Sequence, residues 1–139
     1  MKVEIKYLYL NGAIELLYSM SLQGKLSRHR SRIIKVLRER LAEVGGEEIE
    51  LMKEYAELDE SGESKLNEQG VPVIDKSKIQ ELNEKKMELF NECMVIEGGD
   101  MKETLETVKD LLLDYQGEIS GQTAEIYDYL CTQFENGEN

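Results

Sequence analysis

The hydrophobic residues of this chain recur with two different periods, and each period predicts a type of secondary structure. In the first ten residues, β-branched and aromatic side chains stand at every second position, at Val3, Ile5, Tyr7 and Tyr9. This alternation is typical of a strand, which we predict at residues 2–9. Beyond that segment, apolar residues recur every three or four positions, as they do along one face of an α-helix.

The longest helical pattern predicts the element around which the chain is organised. Placed at about 100° per residue on an ideal helix, its apolar residues fall within an arc of about 100°. These residues are Leu26, Ile33, Ile34, Leu37, Leu41 and Val44. The arc keeps its phase beyond Gly45 and Gly46, so we predict one helix over residues 27–58, about 50 Å long at about 1.5 Å per residue. Adjacent glycines weaken a helix and allow it to bend, so this pair is the expected position of a kink.

Turn and capping residues divide the remaining chain into shorter elements. Asp75 or Ser77 is expected to cap one helix, and Val71–Ile74 could form a short strand beside the N-terminal one. The predicted elements are helices at residues 12–22, 76–92, 101–115 and 121–135, a loop at 59–74 and a strand at 94–97. The sequence therefore predicts a mainly α fold (α+β) in a single domain, residues 1–139: a long central helix packed with three to four shorter helices and a small two- or three-stranded sheet.

The formal charge of −12 is distributed unevenly along the chain. Residues 25–40 hold all five arginines and two lysines against one glutamate, a net charge of +6, so the other 123 residues carry −18. A chain this acidic repels phosphate, and we expect it to bind neither nucleic acids in general nor anionic membranes. No apolar run approaches the roughly 18 residues of a membrane span, and the N-terminus lacks a signal-peptide pattern, so we expect an intracellular protein.

Residues that usually carry catalysis or bind metals are scarce in this chain and poorly spaced. His29 is the single histidine, and it stands among cations with no cysteine near it in sequence. Cys93 and Cys131 form no CxxC or Cys/His pattern, and we predict that they are buried free thiols in a reducing compartment. We therefore expect no enzymatic activity, no metal and no cofactor.

Two loops resemble ligand-binding motifs but depart from them at essential positions. The segment that begins at Asp59 opens like an EF-hand calcium loop. That motif requires glycine at its sixth position and glutamate at its twelfth, where this chain has Ser64 and Gly70. The segment that begins at Gly117 has the wrong spacing for a phosphate-binding loop and no lysine before its threonine. We interpret both as turns.

The cluster of cations at residues 25–40 admits three interpretations. The basic helix packs among acidic helices with its charges paired internally or solvated, or it docks an acidic protein, or it faces a nucleic-acid backbone. Arginine favours recognition because its planar guanidinium donates two parallel hydrogen bonds to a carboxylate or a phosphate. The candidate partner-binding residues are Arg28, His29, Arg32, Lys35, Arg38 and Arg40.

Arg30 differs from the other arginines because the helical wheel places it in the middle of the apolar arc, beside Leu37 and Val44. A buried charge without a partner is very costly. We therefore predict that Arg30 forms a structural ion pair with a carboxylate from the acidic remainder of the chain.

Four segments resemble a family of uncharacterised phage and prophage proteins from Gram-positive hosts, a domain of unknown function. They are LQGKLSRHRSRIIKVLRERL, ELMKEYAELDESGE, VIEGGDMKETLETVKDLLLDY and SGQTAEIYDYLCTQFE, and their most specific piece is GKxSRHR. The resemblance implies a protein in the host cytoplasm or associated with the virion. It also implies that this protein acts by protein–protein interaction, either on a host protein, such as a defence protein, or in virion assembly. The resemblance implies no catalytic residue.

Two other classes of function remain as alternatives. The chain could be an accessory protein that faces nucleic acid through the arginine-rich helix, in which case its affinity would fall steeply with salt. It could also be a small enzyme of a type that the sequence does not specify. Formation of a homo-oligomer is left open.

Overall fold

The computed structural model describes residues 1–137, in which five α-helices and two strands follow one another along the chain. The predicted mainly α class with a small sheet is confirmed. The sheet has two antiparallel strands. The elements are β1 (Lys2–Lys6), α1 (Leu10–Ser19), α2 (Gly24–Lys53), α3 (Ile79–Phe90), β2 (Cys93–Glu97), α4 (Gly99–Leu113) and α5 (Gly121–Asn136).

Contacts between residues divide the chain into two compact units. We call Met1–Leu41 together with the chain from Cys93 onward the terminal unit, and Ala42–Glu92 the inserted unit. Helix α2 begins in the first and ends in the second. The prediction of a single domain over residues 1–139 stays a prediction. None of the described helices combines the length and the apolar character needed to cross a membrane.

In the terminal unit, strand β1 forms hydrogen bonds along both of its edges. On one edge, β1 pairs with β2 in a register that places Lys2 opposite Glu97. On the other edge, the amide of Lys2 donates to the carbonyl of Gly137 at 3.0 Å. The amide of Lys6 donates to the Tyr129 hydroxyl at 2.9 Å. Because successive residues point to opposite faces of a strand, one face of the sheet is buried. Its side chains are Val3, Ile5, Met94 and Ile96.

The core of the terminal unit lies between this sheet and helices α1, α2, α4 and α5. Each fully buried aliphatic or aromatic side chain stabilises the fold by about 1.5–3 kcal/mol relative to its exposed state. Side chains with no more than 1% exposure include Leu17, Leu37, Leu105, Val108, Leu112, Leu130 and Phe134. The rings of Tyr9 and Tyr129 stack with centroids 3.7 Å apart, which fixes the segment after β1 against α5.

The inserted unit has few fully buried hydrophobic residues. Among its described residues the buried apolar ones are Val44, Ala56, Pro72 and Leu82, whereas Leu58 and Met87 are more than half exposed. Its backbone is instead held by isolated antiparallel bridges, such as Ala56 with Ile74. The unit therefore depends more on local backbone hydrogen bonds than on a large apolar core.

Helix α2 remains α-helical through Gly45 and Gly46, but its ends differ from the predicted 27–58. It begins three residues earlier, at Gly24, whose φ of 55° suits a residue without Cβ. It ends at Lys53 because the next residues bond to the following loop. The amide of Glu57 donates to Val73, and the carbonyl of Tyr55 accepts from Asp75.

These bonds also change the interpretation of residues 59–74, which were predicted to form a surface loop. The segment contains bridges of its own, between Leu58 and Ser64 and between Leu66 and Pro72. The residues at 71–74 do not extend the N-terminal sheet, which was a wrong prediction. Ile74 pairs with Ala56 instead, since the end of α2 offers unpaired backbone groups close by in sequence.

The shorter elements lie near their predicted positions. The helix predicted at 12–22 is α1, which begins earlier, and the helix predicted at 76–92 starts as a 3-10 turn before α3. Asp75 accepts a hydrogen bond from the amide of Ser77 at 3.0 Å, which confirms the first of the two predicted caps. The prediction of buried thiols was wrong. Cys93 is exposed on β2, where alternation turns its neighbour Met94 inward, and Cys131 is half-buried on α5.

Candidate functional site

The predicted partner-binding residues lie on the part of α2 that belongs to the terminal unit, and the structure separates them by side of the helix. One side is buried, with Ile33 and Leu37 at 0% exposure. Residues next to that side contact α4, α1 or the segment after β1. Residues opposite that side face solvent. Cations that are neighbours in the sequence therefore lie in different environments in the fold.

His29 is buried, with 3% of its surface exposed, so the prediction that it contacts a partner was wrong. Its Nδ1 lies 2.7 Å from the hydroxyl of Thr107 on α4, within hydrogen-bonding distance. Helix α4 covers this side of α2, which an isolated helical wheel does not show. His29 therefore connects two helices of the terminal unit.

Arg30 is half-buried, as its place in the apolar arc indicates, but the predicted carboxylate partner was wrong. Its Nη1 donates to the carbonyl oxygen of Met20, with longer contacts to Leu17 at 3.4 Å and Tyr18 at 3.5 Å. No carboxylate of the described chain forms a salt bridge with it. The last carbonyls of a helix lack intrahelical partners and carry partial negative charge, so the end of α1 takes the place of a carboxylate. The Nε of Arg30 is buried without a partner among residues 1–137.

Arg38 and Arg40 each contact a tyrosine from the N-terminal part of the chain. The Arg40 guanidinium donates to the Tyr7 hydroxyl at 3.2 Å and lies 6.0 Å from the centre of that ring. The guanidinium of Arg38, which is exposed, lies 5.5 Å from the centre of the Tyr18 ring. At these distances a cation is attracted to the face of an aromatic ring. Arg40 thus forms contacts within the protein, while Arg38 remains accessible to solvent.

Arg28, Arg32 and Lys35 form what we call the basic stripe. They lie within about 60° on the helical wheel, opposite the buried side, and all three are exposed. Within the described residues they form no hydrogen bond, salt bridge or ring contact. The neighbouring Lys25 differs, because it forms a salt bridge with Glu103 of α4. Hydrogen bonding to Lys25, with a further contribution from its charge, lowers the pKa of Glu103.

The loop that resembles an EF-hand uses its first carboxylate to fix a turn. One oxygen of Asp59 accepts hydrogen bonds from the amide of Ser61, the hydroxyl of Ser61 and the amide of Glu63, at 2.7–3.0 Å. The same bonds lower the pKa of Asp59. In the part of the chain that the structure describes, no three His, Cys, Asp or Glu side chains are grouped as a metal site.

A cavity of about 550 Å³ in the terminal unit was not predicted from the sequence. It lies beside the end of α4 and is lined by residues of α4, of the connection between α1 and α2, and of the start of α2. Lining residues include Leu22, Leu26, Thr107, Asp110, Asp114 and Tyr115. Leu26 was assigned to the buried arc but is 44% exposed. The sequence carries no local signal for this cavity, because it forms only where α4 and the start of α2 lie side by side.

Among the comparisons with known proteins, one gives a match, which is to a family model. No curated protein and no solved structure matches the chain. The expectation that the chain belongs to a domain-of-unknown-function family is confirmed by a match to a family model over residues 1–139. This chain therefore belongs to the family described as Protein of unknown function (DUF1617).

Proposed function

We propose that this protein acts without catalysis, by docking an acidic surface of a partner protein through the basic stripe of Arg28, Arg32 and Lys35. The resemblance noted above supports a phage or prophage origin. The partner is then a host protein whose activity is modulated or a component of virion assembly, and the complex forms in the host cytoplasm or on the virion.

The observation that carries this proposal is the difference between the basic stripe and the other cations of α2. Lys25, His29, Arg30 and Arg40 all have partners within the protein. The stripe residues are exposed cations that form no hydrogen bond, salt bridge or ring contact among residues 1–137, although the charge of Arg32 contributes to the lowered pKa of Glu103. Positive charges in a row on a rigid helix present donors at fixed spacing to a partner, at no cost to internal pairs.

The charge of the whole molecule favours a protein partner over a nucleic acid. The formal charge of −12 repels a long polyanion such as a nucleic acid as it approaches. A compact acidic patch on a protein can instead align with the basic stripe alone. Exposed charges chiefly increase the rate of association. The stripe is therefore expected to determine how fast the complex forms, while apolar contacts determine how long it persists.

A matched pair of triple variants tests the proposal. The stripe variant carries Arg28→Glu, Arg32→Glu and Lys35→Glu. The control variant carries Lys76→Glu, Lys78→Glu and Lys102→Glu, which reverses three other exposed lysines and gives the same net charge. Each protein is used to capture partners from extracts of infected Gram-positive cells. The captured partner is then purified, and its association rate is measured at several salt concentrations.

Wild-type and control proteins should capture the same partner, with association rates that fall as salt rises, and the stripe variant should fail to capture it. All three should unfold at similar temperatures, because exposed charges contribute little to stability. Capture by the stripe variant at the wild-type rate would contradict the proposal. Retention of wild-type protein on DNA, lost in the stripe variant and with salt, would support the nucleic-acid alternative instead.

A further inference from the structure

The cavity beside the end of α4 combines an apolar wall with an acidic one. Leu22, in the connection before α2, and Leu26, in the first turn of α2, form its apolar wall. Asp110 and Asp114 line it from α4, one helical turn apart and therefore on the same face. A volume of about 550 Å³ is in the range of cavities that bind small organic groups.

Tyr115 forms an aromatic part of the wall, and neighbouring residues fix its position. A Cβ atom at Gly117 would collide with the Tyr115 hydroxyl and ring, so the backbone there passes as close to the tyrosine as only glycine allows. The Tyr115 ring also lies 5.9 Å from the ring of Tyr127. The hydroxyl of Tyr127 donates to the carbonyl of Leu112 at the end of α4. The Tyr115 ring thus lies close to Gly117 on one hand and to the Tyr127 ring on the other.

The two aspartates occupy an electrostatically unfavourable position. The C-terminal end of a helix carries partial negative charge, and cations are the residues that stabilise it. The last turn of α4 has no basic residue. Asp114 stands at the C-cap, and Asp110 lies one turn before it. Neither carboxylate forms a salt bridge within the described residues. A positive group in the cavity would offset part of the negative charge of the two carboxylates and of the helix end.

We propose that this cavity binds an organic cation, a guanidinium or ammonium group on an apolar stem. The charged group lies between Asp110, Asp114 and the face of Tyr115, and the stem lies against Leu22 and Leu26. Carboxylates give the cation charge-assisted hydrogen bonds, and the aromatic face adds a cation–π contact. A bare metal ion suits the site poorly, because four of the ten lining side chains, those of Met20, Leu22, Leu26 and Leu111, supply no oxygen ligand.

Binding is measured by NMR titration of the wild-type protein with four probes. Blocked arginine amide carries the guanidinium and its stem as a partner's side chain does, and agmatine carries them as a free molecule. Blocked norleucine amide supplies a stem without charge, and guanidinium chloride supplies charge without a stem. The first two should shift the amide signals of residues around the cavity in a saturable way, while the last two should bind much more weakly.

Comparison of the two stemmed cations identifies the source of the ligand. Stronger binding of blocked arginine amide indicates a side chain of a protein partner, and stronger binding of agmatine indicates a free cation. Norleucine amide that binds as well as blocked arginine amide would overturn the proposal, because charge would then not matter. Absence of saturable shifts with both stemmed cations would overturn it as well.

Two double variants separate the site from general charge. Asp110→Asn with Asp114→Asn should weaken cation binding by about tenfold for each carboxylate removed. Without probe, this variant should melt at a higher temperature than wild type, since it removes negative charge from the end of α4. Glu106→Gln with Asp128→Asn removes two exposed carboxylates outside the cavity and should leave binding unchanged. Equal losses in both variants would overturn the proposal, since the effect would then be one of net charge.

Discussion

The two sides of the basic segment of α2 differ in what surrounds them, although their residues alternate in the sequence. On one side, His29, Arg30 and Arg40 bond to α4, to the end of α1 and to Tyr7. On the other side, Arg28 and Arg32 point into solvent. The difference shows that an arginine-rich segment does not have one role. The same residue type stabilises the fold or remains available for a partner according to the side of the helix on which it lies.

The largest effect that tests this comparison should come from the buried side. Leu37 has 0% exposure, so Leu37→Ala should lower the free energy of unfolding by about 2–5 kcal/mol, measured by urea denaturation. The matched change on the opposite side, Lys35→Ala, should have little effect. Similar small values for both variants would mean that α2 is not packed as described.

A smaller effect should separate two arginines that lie two residues apart. Arg30→Ala removes a charged hydrogen-bond donor from the carbonyls at the end of α1 and should cost about 1.5–3 kcal/mol. Arg28→Ala should change stability by less than about 0.5 kcal/mol, because the side chain is exposed. Thermal and urea unfolding of both variants provide the measurement. If the two losses are equal, Arg30 is solvated in the same way as Arg28.

Substitution of Gly45 and Gly46 tests whether the solvent-exposed side of α2 continues beyond the basic stripe. Apart from its chain neighbours and the backbone of its own helix, a Cβ atom at Gly45 or Gly46 would meet no atom within 4 Å. Replacing both by alanine should therefore raise the free energy of unfolding, by about 1 kcal/mol per site, through better helix propensity and a less flexible unfolded chain. A lower melting temperature for the double variant would show that another surface packs against the glycines.

The smallest effect concerns Lys25, which lies between the two sides and pairs with Glu103. The pKa of Glu103 is lowered by this partner, so the folded state releases its proton more readily than the unfolded state. The resulting stabilisation is present above the ordinary pKa of 4.5 and is lost as the pH falls below it, through the folded value. In Lys25→Met, the carboxyl signal of Glu103 should titrate at higher pH by NMR. An unchanged titration would show that Lys25 does not act on Glu103.

Much of the fold follows from local patterns, and the failures have a common physical cause. Periodicity predicts β2 and the helices, because a face that must be buried repeats with the period of its element. It does not show which neighbour covers a given side. His29 was therefore placed on the wet side, although α4 covers it. Similarly, the end of α2 was predicted at residue 58, because its apolar arc continues, but the loop bonds to the backbone from Tyr55 onward.

The candidate site was predictable in part. The sequence shows where the cations are concentrated. The helical wheel grouped Arg28, Arg32 and Lys35 correctly, because the side of a helix on which a residue lies depends only on the geometry of that helix. The wheel also singled out Arg30 as a residue that needs a partner. It could not identify that partner, because the carbonyls at the end of α1 are backbone groups and leave no sign in the sequence. The acidic cavity requires two helices to be placed side by side, which no local pattern shows.

β1 cannot complete its hydrogen bonds until the chain has been synthesised as far as Gly137. Its amide at Lys6 bonds to Tyr129, 123 residues away, and its carbonyl at Glu4 accepts from Gln133, 129 residues away. Contacts between such distant residues form slowly, because a long loop must close before they contribute. As the chain leaves the ribosome, the apolar sides of α1 and α2 therefore emerge without α4 and α5 to cover them.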